Sequence, residues 1–134
     1  QIYEDLGRRE EAAAARRRGA ALAEEHLRLA PDDARALYMG ANGLVALGER
    51  SKGLAWADRA LALDPGDSMV LYNIACIKSL AGALDDAMAC LERAVAAGLA
   101  QRGWIEHDNN LDSIRGLPRF AALLRSLDGP HTGA

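Results

Sequence analysis

The sequence predicts an all-α protein built as an α-solenoid of stacked helix pairs, and three observations carry that expectation. Half of the 134 residues are apolar, most of these are Ala and Leu, and aromatics make up only 4%. With Glu and Arg between them, such residues favour helix by intrinsic propensity. No strand-like alternation of β-branched residues occurs. The third observation is a self-match. Leu37, Tyr38, Ala41, Gly48, Ala55, Arg59, Ala60 and Ala62 recur 34 residues later as Leu71, Tyr72, Ala75, Gly82, Ala89, Arg93, Ala94 and Ala96. Small residues at helical spacing, repeated at a fixed interval of this length, mark a helix-turn-helix repeat. One such pair cannot bury its apolar face alone, so neighbours stack and leave an inner surface free.

At the N-terminus, Tyr3, Leu6, Gly7 and Ala12 match Leu44, Leu47, Gly48 and Gly53, which makes Gln1 to Leu6 the stub of a helix that turns at Gly7. The next helix then runs to about Leu29, before Pro31, with Gly19 in its middle at a cost of about 1 kcal/mol relative to Ala. A rival register keyed to Pro31 starts a repeat at Tyr3, but it leaves no turn residue near Ala14. The chain opens at Gln1 without Met, as a piece of a longer protein would.

A helix from about Asp33 to Leu47 comes next, ended by Gly48 in the left-handed cap that Gly adopts without steric cost. Its partner spans about Arg50 to Leu63 and stops before Pro65, which cannot continue it. Leu37, Ala41 and Leu44 share one face, as do Leu54, Ala57, Ala60 and Leu61. Small residues at Ala41, Gly53 and Ala60 let the two backbones come close. The next repeat starts at Ser68 as N-cap and carries Leu71, Ile74 and Ala75 to Gly82, then Leu84, Ala87, Leu91 and Ala94 to Gly98. Lys78 stands where Leu44 stood, and its stem can lie along the apolar surface. Beyond Gly98 the pattern decays into a short helix near Gln101 to His107, a polar link, and a last helix from about Pro118 to Leu127. Phe120, Leu123, Leu124 and Leu127 would form a stripe that closes the open end. The organisation is one domain over 1–127: a partial repeat at 1–31, repeats at 33–65 and 68–98, and a cap at 101–127. The tail 128–134 has no apolar reason to be ordered.

Charge and composition exclude several function classes. The net charge is −3 and the pI about 5.6, and the Arg16, Arg17, Arg18 run sits among Glu10, Glu11, Glu24 and Glu25. That is a solvated helix face of mixed sign, with no basic field for nucleic acid. Nothing approaches the roughly 18 apolar residues of a membrane span, and no signal-peptide pattern opens the chain. Cys76 and Cys90 read as small core hydrophobes in a reducing cytoplasm. No Ser nucleophile motif, phosphate-cradling Gly loop or supported Cys-His pairing occurs, so the expectation is a chain with no enzyme activity, no cofactor and no metal.

Two motifs that resemble metal sites have simpler readings. Asp108-Asn109-Asn110-Leu111-Asp112 starts like a calcium loop but has Ser113 in place of Gly and Arg119 in place of the late acid, so a capping loop is the better account. Glu106, His107 and Asp108 are adjacent on a helix and do not face one site.

The 34-residue pattern resembles the tetratricopeptide (TPR) repeat family. More narrowly, "LYNIACIKSLAGALDDAMACLERAVAAG" from Leu71, with Trp104-Ile105, Asp108, Leu111-Asp112 and Pro118-Arg119-Phe120 after it, resembles the C-terminal TPR region of bacterial class III adenylate or guanylate cyclases and of some serine/threonine kinases and regulators. The resemblance is strong from Asp32 to Leu124 and loose before. It implies a right-handed α-solenoid of TPR helix-turn-helix repeats with a C-terminal capping helix, acting as a regulatory or scaffolding appendage. None of the cyclase or kinase motifs is present.

TPR solenoids expose the first helix of each pair along a concave groove. By that correspondence Arg35, Tyr38, Asn42, Met69, Tyr72, Asn73, Cys76 and Ser79 line a peptide-binding groove. The tyrosines offer amphipathic contact area, and the Asn side chains can donate to and accept from an extended backbone. Asn42 and Asn73 match two positions of the TPR carboxylate clamp. Its basic residues are absent, with Tyr38, Gly103 and His107 in their places. The alternative is that both Asn side chains bond within the solenoid. The expected function is protein-protein interaction, with a peptide or partner helix as the ligand. The other reading is a regulatory or oligomerising arm of a multidomain signalling enzyme such as a nucleotide cyclase or protein kinase, which would form a homodimer, or pack on a partner at its N-terminal end, through Ile2, Leu6 and the Ala-rich side of the long helix.

Overall fold

The computed structural model describes residues 2–132, with side chains described from Glu4 to Asp128. Among these residues the chain is all-α. Seven helices are formed: α1 (Ile2–Leu29), α2 (Ala34–Ala46), α3 (Arg50–Leu63), α4 (Ser68–Leu80), α5 (Leu84–Ala96), α6 (Arg102–His107) and α7 (Pro118–Thr132), with a 3₁₀ turn at Asn109–Leu111. Each packs chiefly on its neighbour in sequence. Among the described residues no helix is long and apolar enough to cross a membrane. The chain divides into two compact units, Gln1–Leu63 and Asp64–Ala134.

In the first unit α2 and α3 form the tightest pair, and the second half of α1 lies on α2. Leu37, Ala41, Leu44, Trp56, Ala57 and Ala60 are buried between them, and Leu27 is the one buried residue of α1 among those described. Two glycines set the spacing. A Cβ on Gly53 would lie 2.6 Å from Val45 Cγ2 and 3.0 Å from the Ala41 carbonyl oxygen. A Cβ on Gly40 would lie 2.5 Å from the Trp56 ring. The close approach expected at Gly53 is therefore present, and Trp56 fills the space that Gly40 leaves. Asp33 caps α2 by accepting from the Ala36 amide at 3.1 Å, and its other oxygen meets His26 Nε2 at 2.8 Å, tying the end of α1 to the start of α2. Gly48 has φ +90°, and Glu49 N–H donates to the Leu44 carbonyl at 2.9 Å to close the helix end.

The turn expected at Gly7 is not formed. α1 runs through both Gly7 and Gly19, and a Cβ at either would meet nothing within 4 Å. A stub of six residues would have no partner to pack on, whereas the Ala, Arg and Glu beyond it propagate helix at one hydrogen bond per residue. The side chain of Ile2, part of the expected sticky face, lies outside the described residues.

In the second unit α4 and α5 pair as α2 and α3 do. Val70, Leu71, Ile74, Ala75 and Ile77 pack with Ala87, Met88, Leu91 and Ala94 in the core. Asp67, not Ser68, is the N-cap: its carboxylate accepts from the Met69 and Val70 amides at 2.8 and 3.1 Å. A carboxylate there also meets the positive end of the helix dipole, which a hydroxyl does not. Gly82 and Gly98 take φ +80° and +116° at the ends of α4 and α5. Lys78 is half-buried, as its place in the apolar row implied.

One contact recurs in both units. Arg59 donates to the Pro31 carbonyl at 3.5 Å, and Arg93, 34 residues on, to the Pro65 carbonyl at 3.0 Å. The helix starts keep the same step. α2, α4 and α6 begin at Ala34, Ser68 and Arg102, and α3, α5 and α7 at Arg50, Leu84 and Pro118. The C-terminal segment, expected to lose the pattern, thus preserves its interval with a shortened first helix. α6 ends where Asp108, Asn109 and Asn110 begin, residues that bond locally to backbone and so favour turns over helix. α7 continues to Thr132, past the expected end at Leu127. Its Phe120 and Leu123 are buried, and Leu124 and Leu127 are half-buried.

Candidate functional site

The residues expected to line a groove fall on α2 in the first unit and on α4 in the second. On α2, Arg35 is exposed with its Nε 3.4 Å from Met39 Sδ, and Tyr38 and Asn42 are half-buried. On α4, Met69 is exposed and Asn73 half-buried. Asn73 Nδ2 donates to the Met69 carbonyl at 2.8 Å, which is bonding within its own helix.

Tyr72, Cys76 and Ser79 do not stand on an open surface. Their side of α4 is covered by α6 and the link after it, and they are 6%, 4% and 1% exposed. Ser79 Oγ lies 2.9 Å from Ser113 Oγ, and Ser113 also donates to the Ser79 carbonyl at 2.7 Å. Both hydroxyls are used within the fold, so Ser79 has nothing to offer a ligand.

Asp108 organises the rest of this face. Its Oδ2 accepts from the Tyr72 hydroxyl at 2.6 Å and lies 3.7 Å from Cys76 Sγ. Its Oδ1 accepts from the Asn110 amide at 2.9 Å, capping the 3₁₀ turn. Burial, and then the bond to Asp108, drive the Tyr72 phenol above its usual range, so it remains a neutral donor. Burial and the Asp108 charge push the Cys76 thiol up to about 12. A thiol so held is not a nucleophile at neutral pH. Cys90 is likewise buried and forms no disulfide.

Beside this cluster a cleft of about 360 Å³ opens to solvent, lined by Tyr72, Gly103, Trp104, His107 and Asp108. The Tyr72 and Trp104 rings are 6.1 Å apart between centroids and tilted by 46°. Trp104 is 46% exposed, an apolar side chain with no covering element. Gly103 and His107 both line this cleft. The acidic loop is committed elsewhere: Asp112 pairs with Arg115 at 3.3 Å. Glu106 pairs with Arg102 at 2.8 Å. Among the described residues no group of His, Cys, Asp or Glu is gathered so as to hold a metal ion.

Sequence reasoning placed Tyr72 here but missed Trp104 and Asp108 as site residues, because both lie in the segment read as a cap. The interval itself points to the cleft but not to these two side chains. One 34-residue step from the groove residues Met69 and Asn73 lands on Gly103 and His107, which line the cleft, while Trp104 and Asp108 fall one step beyond the core residues Val70 and Ile74 and so carry no such signal. Comparison with models of known protein families and with curated proteins gives no match to this chain.

Proposed function

We propose that this chain is a TPR-like helical-repeat module of the cytoplasm that holds a segment of a partner polypeptide and performs no chemistry of its own. The observation that carries this reading is the exposed Trp104 beside Tyr72 at the mouth of an open cleft on the first helices of the repeat series. A half-exposed Trp on a rigid helical support is the kind of side chain that anchors interfaces. The 34-residue interval of the helix starts supports the TPR-like assignment, and Arg35, Tyr38, Asn42, Met69 and Asn73 supply further polar and apolar surface of the kind an extended peptide uses. The pushed-up Cys76 and Tyr72 argue against acid-base or nucleophilic roles.

Selection of random peptides displayed on phage, followed by calorimetry of the enriched sequences, tests this function. Trp104→Ala should weaken the selected peptides at least tenfold, as expected for an interface anchor, and Asn42→Ala with Asn73→Ala should weaken them further. Failure to enrich any sequence, or affinities indifferent to all three substitutions, would overturn it.

A second reading has its own observation. Leu22 and Leu29 of α1 are 72% and 84% exposed, and Leu6 is 48% exposed. As the oligomerising or regulatory arm of a larger signalling protein, α1 would bury these on a second copy or a partner domain. Light scattering across a concentration series separates the readings: a concentration-dependent dimer broken by Leu22→Glu supports the arm, and a strict monomer removes it.

A further inference from the structure

We propose that the cleft beside Tyr72 and Trp104 receives a cationic side chain, the guanidinium of an arginine in the partner peptide; this rests on the peptide-holding function proposed above. Two walls are aromatic. Their 46° tilt and 6.1 Å separation make a wedge, not a closed stack. A cation within about 6 Å of a ring centroid is held by the ring quadrupole, most strongly by Trp, and a planar guanidinium also stacks on the ring face.

The third wall is a carboxylate whose partners are all neutral. The Tyr72 hydroxyl, the Cys76 thiol and the Asn110 amide bond to Asp108 without cancelling its charge. Among the described residues no ion pair is formed with the Asp108 carboxylate, and the arginines of this region are bonded to other carboxylates and to main-chain carbonyls. Arg102 bridges Glu106 at 2.8 Å and Asp128 at 2.5 Å. Arg115 pairs with Asp112 and donates to the carbonyls of Ile105, Glu106 and Asp108. An apolar occupant would cover the Asp108 charge with nothing to balance it, and an anionic one would be repelled. A lysine would supply the charge without the planar stack. Arginine satisfies the aromatic and the acidic walls together.

Gly103 keeps the mouth open. A Cβ there would meet nothing within 4 Å, so a larger side chain can be placed at the rim without displacing the fold.

The probe is the pentapeptide acetyl-Gly-Gly-Arg-Gly-Gly-amide, set against the same peptide with citrulline, which keeps the shape and removes the charge. Binding to the full chain is followed through the Trp104 indole N–H resonance. The arginine peptide should bind roughly tenfold tighter than the citrulline peptide, the scale of one desolvated cation-π contact with a nearby carboxylate. Asp108→Asn should erase that preference while keeping the fold, since its one oxygen can still cap the Asn110 amide and its amide nitrogen can donate to the Tyr72 hydroxyl oxygen. Gly103→Leu should weaken both peptides at least tenfold with a Tm no lower than the parent's, since a helical glycine in open space is replaced. Equal binding of the two peptides, or a Trp104 response that survives Gly103→Leu, would overturn the proposal. Phage-selected peptides that bind well yet lack arginine and ignore Asp108→Asn would overturn it and leave peptide holding intact. If no peptide of either kind binds, both fall.

Discussion

Replacing Gly53 by Ala should destabilise the protein, although the same change in an open helix stabilises it. The added methyl would sit 2.6 Å from Val45 Cγ2, 3.0 Å from the Ala41 carbonyl oxygen and 3.2 Å from the Val45 amide nitrogen. Val45 Cγ2 can be moved by a rotamer change, but the two backbone atoms move only if α2 and α3 separate. Overpacking of this kind costs about 1–3 kcal/mol. Against it stands the helix propensity that Ala regains over Gly, about 1 kcal/mol. The balance is a loss of up to about 2 kcal/mol, which lowers Tm by up to about 8 °C for a chain of this size. Thermal melting followed by circular dichroism reads this directly. The second unit shows how the clash is avoided: one 34-residue step on, Ala87 replaces Gly53 and Ser79 replaces Val45, a smaller partner for the extra methyl. Accordingly Gly53→Ala combined with Val45→Ala should lose less than the sum of the two single changes, by at least about 0.5 kcal/mol. A Gly53→Ala variant that melts higher than the parent would refute the close approach of α2 and α3.

Gly19→Ala is the matched opposite, since nothing lies within 4 Å of a Cβ at this helical position; it should stabilise by up to about 1 kcal/mol, visible as a raised Tm. Alkali should unfold the second unit through Cys76. Its thiol titrates at about 12 in the fold against 9.0 unfolded, so the stability it contributes is whole below pH 9.0 and falls as pH rises toward 12. This group alone should cost the folding equilibrium about a factor of ten per pH unit in that window; the raised Tyr72 phenol adds a loss of the same sign above pH 10.0, so Cys76→Ala should reduce the slope in denaturant titrations without abolishing it. Acid acts in the first unit through Asp33, whose carboxyl is held below its usual 3.8 chiefly by the bond from His26 and then by the Ala36 amide. Its contribution is present above pH 3.8 and is lost as pH falls below that value, so Asp33→Asn should reduce the acid sensitivity of melting below pH 3.8.

The helix boundaries were legible because the chain is punctuated by residues with few alternatives. Pro31 and Pro65 cannot continue a helix, and Gly48, Gly82 and Gly98 all adopt the positive φ their positions implied. Gly7 was misleading for a complementary reason. Glycine tolerates a turn but does not impose one, and strong helix formers on both sides carried α1 straight through. The N-cap at Asp67 shows a smaller ambiguity, two adjacent capping residues of which the carboxylate prevails.

The site was less legible than the fold. Tyr38 and Tyr72 are related by the repeat and look equivalent in sequence, yet Tyr38 is half-buried and Tyr72 nearly closed off. Tyr72 is closed off because the shortened α6, which comes after the α4–α5 pair, returns Asp108 and Trp104 to α4. Nothing local at Tyr72 announces that return. The burial of Cys76 and Ser79 has the same origin, and the apolar self-pairing of α4 and α5 could be read from periodicity while the covering of their neighbours could not. Asn73 commits its amide nitrogen to the Met69 carbonyl of its own helix, a use that its sequence position alone did not decide.

Docking of a peptide beside Trp104 is the centre of the proposed function, and the protein carries its own internal reference for testing it. It has two tryptophans, one at the cleft and 46% exposed, the other, Trp56, buried at 7% exposure against Gly40. In a ¹H–¹⁵N spectrum each gives one indole N–H signal. Titration with a phage-selected peptide should shift the Trp104 indole, with saturation matching the calorimetric affinity, and leave Trp56 in place. A peptide that binds while the Trp104 signal stays fixed would contradict docking at this cleft.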